Sequence, residues 1–185
     1  MTNPPSETGL TALVVRRYIG LVSAKKPTAA GTAAILALRR AGVPHTVRAF
    51  AHDPRTHLGY GLEAATALGL PAEQLFKTLV AKVDGDLAVG IIPVTASLSM
   101  KALATALGGK KGTMAEIAEA ERATGYVVGG ISPLGQRRAH PTVIDSTAAD
   151  LDMMYVSAGS RGLDVGIAPA DLARLTGAVF ASIAR

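Results

Sequence analysis

Three short segments of the chain carry residue types that could do chemistry. In Phe76-Lys77-Thr78-Leu79-Val80 a cation sits inside an apolar run. Side chains of an extended strand alternate between faces, so Lys77 shares a side with Leu79, Ala81 and Val83. A lysine so placed either lays its stem on apolar surface at a strand edge with its ammonium in water, or opens that face to an anion. The second segment runs Thr124-Gly125-Tyr126-Val127-Val128-Gly129-Gly130-Ile131-Ser132-Pro133-Leu134-Gly135-Gln136. Its glycines can turn backbone N–H groups toward an anionic or carbonyl oxygen, or can serve only as a tightly packed connection. Arg137, Arg138 and His140 follow directly, a run that suits phosphate contacts and equally suits a solvated turn. The third segment, from Tyr155 through Ser157 and Arg161 to Asp164 and Val165, reads as strand, glycine-rich turn and strand. Asp164 alternates away from Leu163, Val165 and Ile167, and alternation alone makes it a solvent-facing carboxylate.

Several chemistries are excluded or left without support. The chain has no Cys, so thiol nucleophiles, disulfides and thiolate metal sites are out. No phosphate-binding P-loop, dinucleotide fingerprint, His-Glu-x-x-His or Gly-x-Ser-x-Gly motif occurs. The four histidines, at 45, 52, 57 and 140, lack metal-ligand spacing, and no metal is assigned.

The elements that must position these residues follow from periodicity and punctuation. The spacing predicts a helix over 28–42, ending at Gly42, then a strand over 43–50, a turn at His52-Asp53-Pro54 and a helix over 62–68 closed by Gly69. Strands at 75–83 and 87–94 flank Asp84-Gly85-Asp86, where Asp-Gly is a strong hairpin signal. Helices are predicted at 99–107 and 114–122, strands at 142–144, 153–157 and 163–167, and a helix at 169–175 that starts on a proline. Residues 178–183 form an element of undetermined type. The expected fold is α+β, a single domain with a mixed, mostly antiparallel sheet and surrounding helices. Residues 1–26, polar and then basic-apolar, are expected to be a loose extension outside a domain spanning 27–185.

Composition sets the partner class. Lys and Arg number 19 against 14 Asp and Glu, a formal net charge of +5, which favours a polyanion. Aromatics make up only 4% of 185 residues, with no Trp, so any RNA contact should rest on phosphates more than on stacked bases. The early apolar run at 10–15 is too short to cross a bilayer and its basic residues follow it, against the order of a secretory signal. No membrane association and a cytoplasmic location are expected.

Taken together, the Phe76-Lys77-Thr78-Leu79 block, the 124–136 loop and the Tyr155-Val156-Ser157 to Arg161-Gly162-Leu163-Asp164 block resemble, in order and separation, the signature blocks of the YbaK/EbsC family. The resemblance runs from about residue 26 to the C-terminus and includes His52-Asp53-Pro54 and Phe180-Ala181. It implies the fold shared by YbaK proteins and prolyl-tRNA synthetase editing domains, and removal in trans of a wrongly attached amino acid, chiefly Cys on tRNA(Pro). It implies no cofactor. Aminoacyl-tRNA is the implied substrate and prolyl-tRNA synthetase a candidate partner. By the same resemblance Lys77 matches the essential lysine, Asp164 a functional acid, and Gly129 and Ser157 positions lining the substrate pocket; Gly130, Ser132, Arg137 and Arg138 are further candidate substrate contacts in the glycine loop and the basic run after it. Phe50 departs from the pattern: it stands where the best-known members have a Tyr, so that hydroxyl is absent. With no nucleophile of its own in view, the chain fits a mechanism in which the substrate's thiol attacks its own ester. A non-catalytic tRNA- or synthetase-binding module, and a deacylase for another amino acid such as Ala, are the alternatives.

Overall fold

The computed structural model describes residues 31–52 and 59–185. The proposed extension at 1–26 and the Asp53-Pro54 part of the turn lie outside the described residues. Helix α1, Ala33–Ala41, starts because the Thr32 hydroxyl accepts from Ile35 N–H at 3.2 Å, and stops at Gly42 in the left-handed region. It buries Ala34, Ile35 and Leu38 against the sheet. Strand β1, His45–Ala49, and helix α2, Tyr60–Leu68, follow, the latter again closed by a left-handed glycine, Gly69.

Strands β2, Leu75–Val83, and β3, Asp86–Pro93, form the expected hairpin. Asp84 and Gly85 both take positive φ, 52° and 102°, as a two-residue turn matched to strand twist requires. Asp84 also accepts from Lys110 N–H and Lys111 N–H, each at 2.9 Å, and so ties the next connection to the turn. Helix α3, Met100–Ala106, is capped by the Ser99 hydroxyl. The sequence places the next helix at 114, but Gly112–Met114 is instead a short strand, β4, paired with β2, and helix α4 spans Ile117–Thr124. Local helical propensity lost here to backbone pairing with Ala81, Lys82 and Val83. The remaining elements are β5 (Thr142–Asp145), β6 (Met154–Ser160), β7 (Leu163–Ile167), α5 (Pro169–Thr176) and β8 (Val179–Ala181). The undetermined stretch at 178–183 is thus a strand. Buried Asp145 anchors the chain after it, accepting from Ile183 N–H and Ala184 N–H at 2.9 and 2.7 Å.

All eight strands join one mixed sheet in the order β1-β7-β6-β2-β3-β5-β8, with β4 also on β2. Among the described residues four pairings are antiparallel and three parallel. The main core, which includes Ile35, Leu38, Phe76, Val80, Ile91, Val156, Val165 and Leu172, fills one side of the sheet. Two smaller clusters fill the other, one around Ile92, Leu103 and Ile183, the other around Ala64, Leu75, Val94 and Tyr155.

One irregularity prepares the site. On the side away from β3, strand β2 pairs with β6 only at Leu75 and Phe76, and with β4 only from Ala81 onward. Between them, Val80 C=O accepts from Ala115 N–H at 3.1 Å, and no strand pairs with Lys77, Thr78 or Leu79 on that side. Since alternate residues of a strand aim their backbone groups to opposite sides, Thr78 directs its N–H and C=O into this slot, as Val80 does.

Candidate functional site

A cavity of about 330 Å³ opens at the slot, walled by the start of α2, the first half of β2, the β4–α4 junction, the glycine-rich loop and the β6–β7 hairpin. Lys77, Asp164, Ser157, Gly129 and Phe50 all line it. Of the other residues singled out in the sequence, Gly130, Ser132, Arg137 and Arg138 do not.

Lys77 is half-buried and donates from Nζ to Val94 C=O at 3.2 Å. The sequence alone allowed it to be an edge lysine, but β2 is an interior strand with β6 and β4 on one side and β3 on the other. Burial lowers its pKa from the usual lysine value, which makes the ammonium a better proton donor than a surface lysine.

Asp164 overturns the expectation of a solvent-facing carboxylate: it is 6% exposed. Alternation did separate it from the core residues Leu163 and Val165, but β7 lies between β1 and β6 and all five of its residues are buried. The second face of β7 looks into the cavity region rather than to solvent. Burial pushes the Asp164 carboxyl up to about 6, a rise partly offset by a hydrogen bond from the Ser157 hydroxyl. Ser157 stands directly opposite Asp164 across the β6–β7 ladder.

Phe50 follows β1 and donates its N–H to Gly162 C=O at 2.9 Å. A Cβ at Gly162, itself at φ 74°, would come within 2.6 Å of Phe50 O, so only glycine permits this approach. Gly129 has φ 88°, and Gly130 spends its N–H on Val127 C=O at 3.0 Å. The Gly130 N–H thus closes a turn. Ser132 is fully buried and accepts from Leu134 N–H at 3.3 Å, which shapes the loop from behind. Arg137 lies over Gly125 and donates from Nη1 to Arg122 C=O at 3.3 Å, at the C-terminal end of α4. Arg138 is exposed.

Sequence reasoning passed over a cluster at the cavity rim. His52 Nδ1 lies 2.8 Å from Oε2 of the buried Glu63, and its ring centroid is 5.2 Å from that of Tyr60. The Arg161 guanidinium lies 5.3 Å from the Tyr60 ring centre, and its Nε donates to Val128 C=O at 2.9 Å. Tyr60 and Glu63 are three apart and so share a helix face, a signal that was present in the sequence but pointed to nothing until His52 and Arg161 were brought to it. Thr78 was likewise overlooked: its Oγ1 is buried without a hydrogen-bond partner at the cavity wall. Among the described residues no three His, Asp or Glu side chains group as metal ligands, and no helix is long and apolar enough to cross a membrane.

The fold is thus a mixed sheet with a slotted central strand, and its cavity gathers a lysine, a buried acid and a glycine loop. Residues 61–175 match the aminoacyl-tRNA editing domain family, and the chain belongs to it. It is 36% identical over 162 residues, 86% of this chain and 97% of the relative, to an Enterococcus faecalis protein provisionally named Cys-tRNA(Pro)/Cys-tRNA(Cys) deacylase EbsC. Two solved structures share the fold. One, provisionally described as a trans-editing enzyme for prolyl tRNA synthetase, gives a TM-score of 0.71 at 24% identity, covering 80% of this chain and 92% of that one. The other, the hypothetical protein APE2540, gives 0.74 at 24% identity over 83% of this chain and 100% of that one.

Proposed function

We propose that the protein is a trans-acting deacylase that clears Cys-tRNA(Pro), with the substrate's own thiol as nucleophile. The observation that carries this reading is a cavity that gathers Lys77, Asp164, Ser157 and Gly129 yet contains no Cys. Among the described residues, moreover, no Ser or Thr hydroxyl is hydrogen-bonded to a His side chain. An ester placed there meets charge and donors but no nucleophile of the protein.

In the proposed reaction the cysteinyl sulfur attacks its own ester carbonyl. A carbon–sulfur bond forms, the bond from that carbon to the ribose oxygen breaks, the thiol loses a proton and the ribose oxygen gains one. The products are a cyclic thiolactone and free tRNA. Asp164 takes the thiol proton, a role that suits a carboxylate whose pKa burial brings closer to neutrality. Lys77 offsets charge on the ester oxygens and gives its own proton to the ribose oxygen, and the proton held by Asp164 then passes through water to the neutral lysine, which resets both groups. The unpaired edge at Thr78 and the Gly129 turn hold the aminoacyl group in place.

Phe50 favours a second reading, because the wall it forms lacks the hydroxyl that the best-known members carry. The cavity then serves a different acyl group such as alanyl, or binds tRNA or prolyl-tRNA synthetase without catalysis. Turnover of Cys-, Ser- and Ala-tRNA(Pro) separates these readings. Rapid loss of Cys with slow loss of Ser supports the thiol mechanism, since the hydroxyl of serine ionises far less readily. Equal rates on Cys and Ser overturn that mechanism, a preference for Ala moves the specificity, and no turnover of any of them leaves the binding module.

A further inference from the structure

The Arg161 guanidinium stands beside the cavity-lining residues Tyr60 and Val128, and two contacts hold it there. Its Nε is held by Val128 C=O at 2.9 Å, and its plane sits 5.3 Å from the Tyr60 ring centre. Tyr60 is fixed in turn by contact with the His52 ring and by Gly129, where a Cβ would come within 2.7 Å of the tyrosine ring carbons. The same peptide that holds Arg161 is braced from behind, because Val128 N–H donates to Glu121 Oε1 at 3.0 Å. No carboxylate of the described residues forms an ion pair with Arg161. Its Nη1 and Nη2 make no hydrogen bond within the described residues. A cation–π contact and one main-chain bond thus preorganise an exposed guanidinium whose two terminal nitrogens remain available as a fork.

Its location says what the fork would meet. Tyr60, Val128, Gly129 and Gly162 all line the cavity, so Arg161 stands at its rim. If the aminoacyl ester occupies the cavity, as the proposed function has it, the ribose sits at the mouth. The next group outward is the phosphodiester 5′ to that terminal nucleoside. We propose that Arg161, supported by Tyr60, binds this terminal phosphate of the aminoacyl-tRNA. The inference rests on the proposed function for the identity of the ligand and goes beyond it in assigning the contact. A fixed fork is suited to two oxygens of one phosphate, and its preorganisation reduces the side-chain ordering that binding would otherwise cost.

The experiment compares 3′-O-cysteinyl adenosine with its 5′-phosphorylated form on wild type, Arg161→Met and Arg161→Gln. With the wild type, the 5′-phosphate should lower KM about 5- to 20-fold with kcat little changed. Both variants should lose this difference while handling the phosphate-free substrate as the wild type does. On whole Cys-tRNA(Pro), the slope of log kcat/KM against log salt should become shallower by about 0.7. A wild type indifferent to the phosphate, or a variant impaired equally on both substrates, would overturn the assignment; the second result is what base stacking on Arg161 would give. If the wild type turns over none of these substrates, the proposed function fails, and binding then decides the present point separately. AMP should still bind tighter than adenosine to the wild type by NMR titration, and equally to the two variants; equal binding to the wild type overturns the contact.

Discussion

Gly129 and Tyr60 are packed so closely that position 129 cannot gain a side chain while the tyrosine ring stays in place: a Cβ at 129 would fall 2.7 Å from the Tyr60 Cε2 and Cζ carbons, and the backbone there holds φ 88°. Gly129→Ala therefore carries two penalties, a strained left-handed alanine and a displaced ring, together about 1–3 kcal/mol. Thermal unfolding should show the loss. Tyr60→Ala removes the ring, so the double variant should be less destabilised than the sum of the two singles. Strict additivity would show that the two residues do not share this space in solution.

Asp164 should make stability depend on pH. Its folded-state pKa, about 6, lies above the ordinary 3.8, so its contribution is fully present below pH 3.8 and is lost as the pH rises through 6. Above that range the buried charge costs at most about 3 kcal/mol. Asp164→Asn should thus match or exceed the wild type in melting temperature at pH 8, with the gain gone near pH 4. The same variant should lose deacylation. A variant less stable than the wild type at pH 8 would mean that the ionised carboxylate supports the fold.

Lys77→Ala is expected to keep its fold, because the side chain makes one hydrogen bond, to Val94 C=O, and lies partly in solvent. Cys-tRNA(Pro) deacylation should fall at least about 100-fold. Lys77→Arg should restore little, since a guanidinium carries its charge on a larger planar group with other donor directions. Near-normal turnover by Lys77→Ala, with circular dichroism unchanged, would remove Lys77 from the mechanism.

The pair Arg137→Ala and Arg138→Ala should separate remote from local phosphate contacts. Neither residue lines the cavity, and Arg137 is anchored over Gly125 at the end of α4. The double variant is expected to weaken binding of whole tRNAs irrespective of sequence and to flatten the salt dependence. It should leave turnover of 3′-O-cysteinyl adenosine 5′-phosphate unchanged. An equal loss on that small substrate would place the two arginines near the cavity.

Much of this was legible in the sequence where local rules govern. The hairpin turn at Asp84-Gly85, the glycine stops at 42, 69 and 125, and the proline start of α5 follow from backbone preferences of single residues, and the structure contains all of them. Strand alternation put Lys77 on an apolar face with Leu79, Ala81 and Val83 and put Asp164 on the face away from Leu163 and Val165, and both line the cavity. What alternation cannot supply is the neighbour. Whether Asp164 meets water or protein depended on β1 and β6 flanking β7, which are far from it or on other elements of the chain. Met114 was assigned to a helix because its partner in β2 lies more than thirty residues earlier. The His52, Glu63, Tyr60 and Arg161 cluster joins residues about a hundred positions apart and had no local signature.

The slot in β2 has a bearing on how such a protein can diverge. Between Phe76 and Ala81 the cavity's polar lining includes peptide groups of Thr78 that no strand covers. Replacing the side chain at 78 by almost any other residue leaves that N–H and C=O where they are. Side chains such as Phe50 shape the cavity wall, and they are free to drift. Under the proposed reaction the rail for the acyl group is written in the backbone, so selectivity would be retuned one wall residue at a time while the grip on the ester is inherited unchanged.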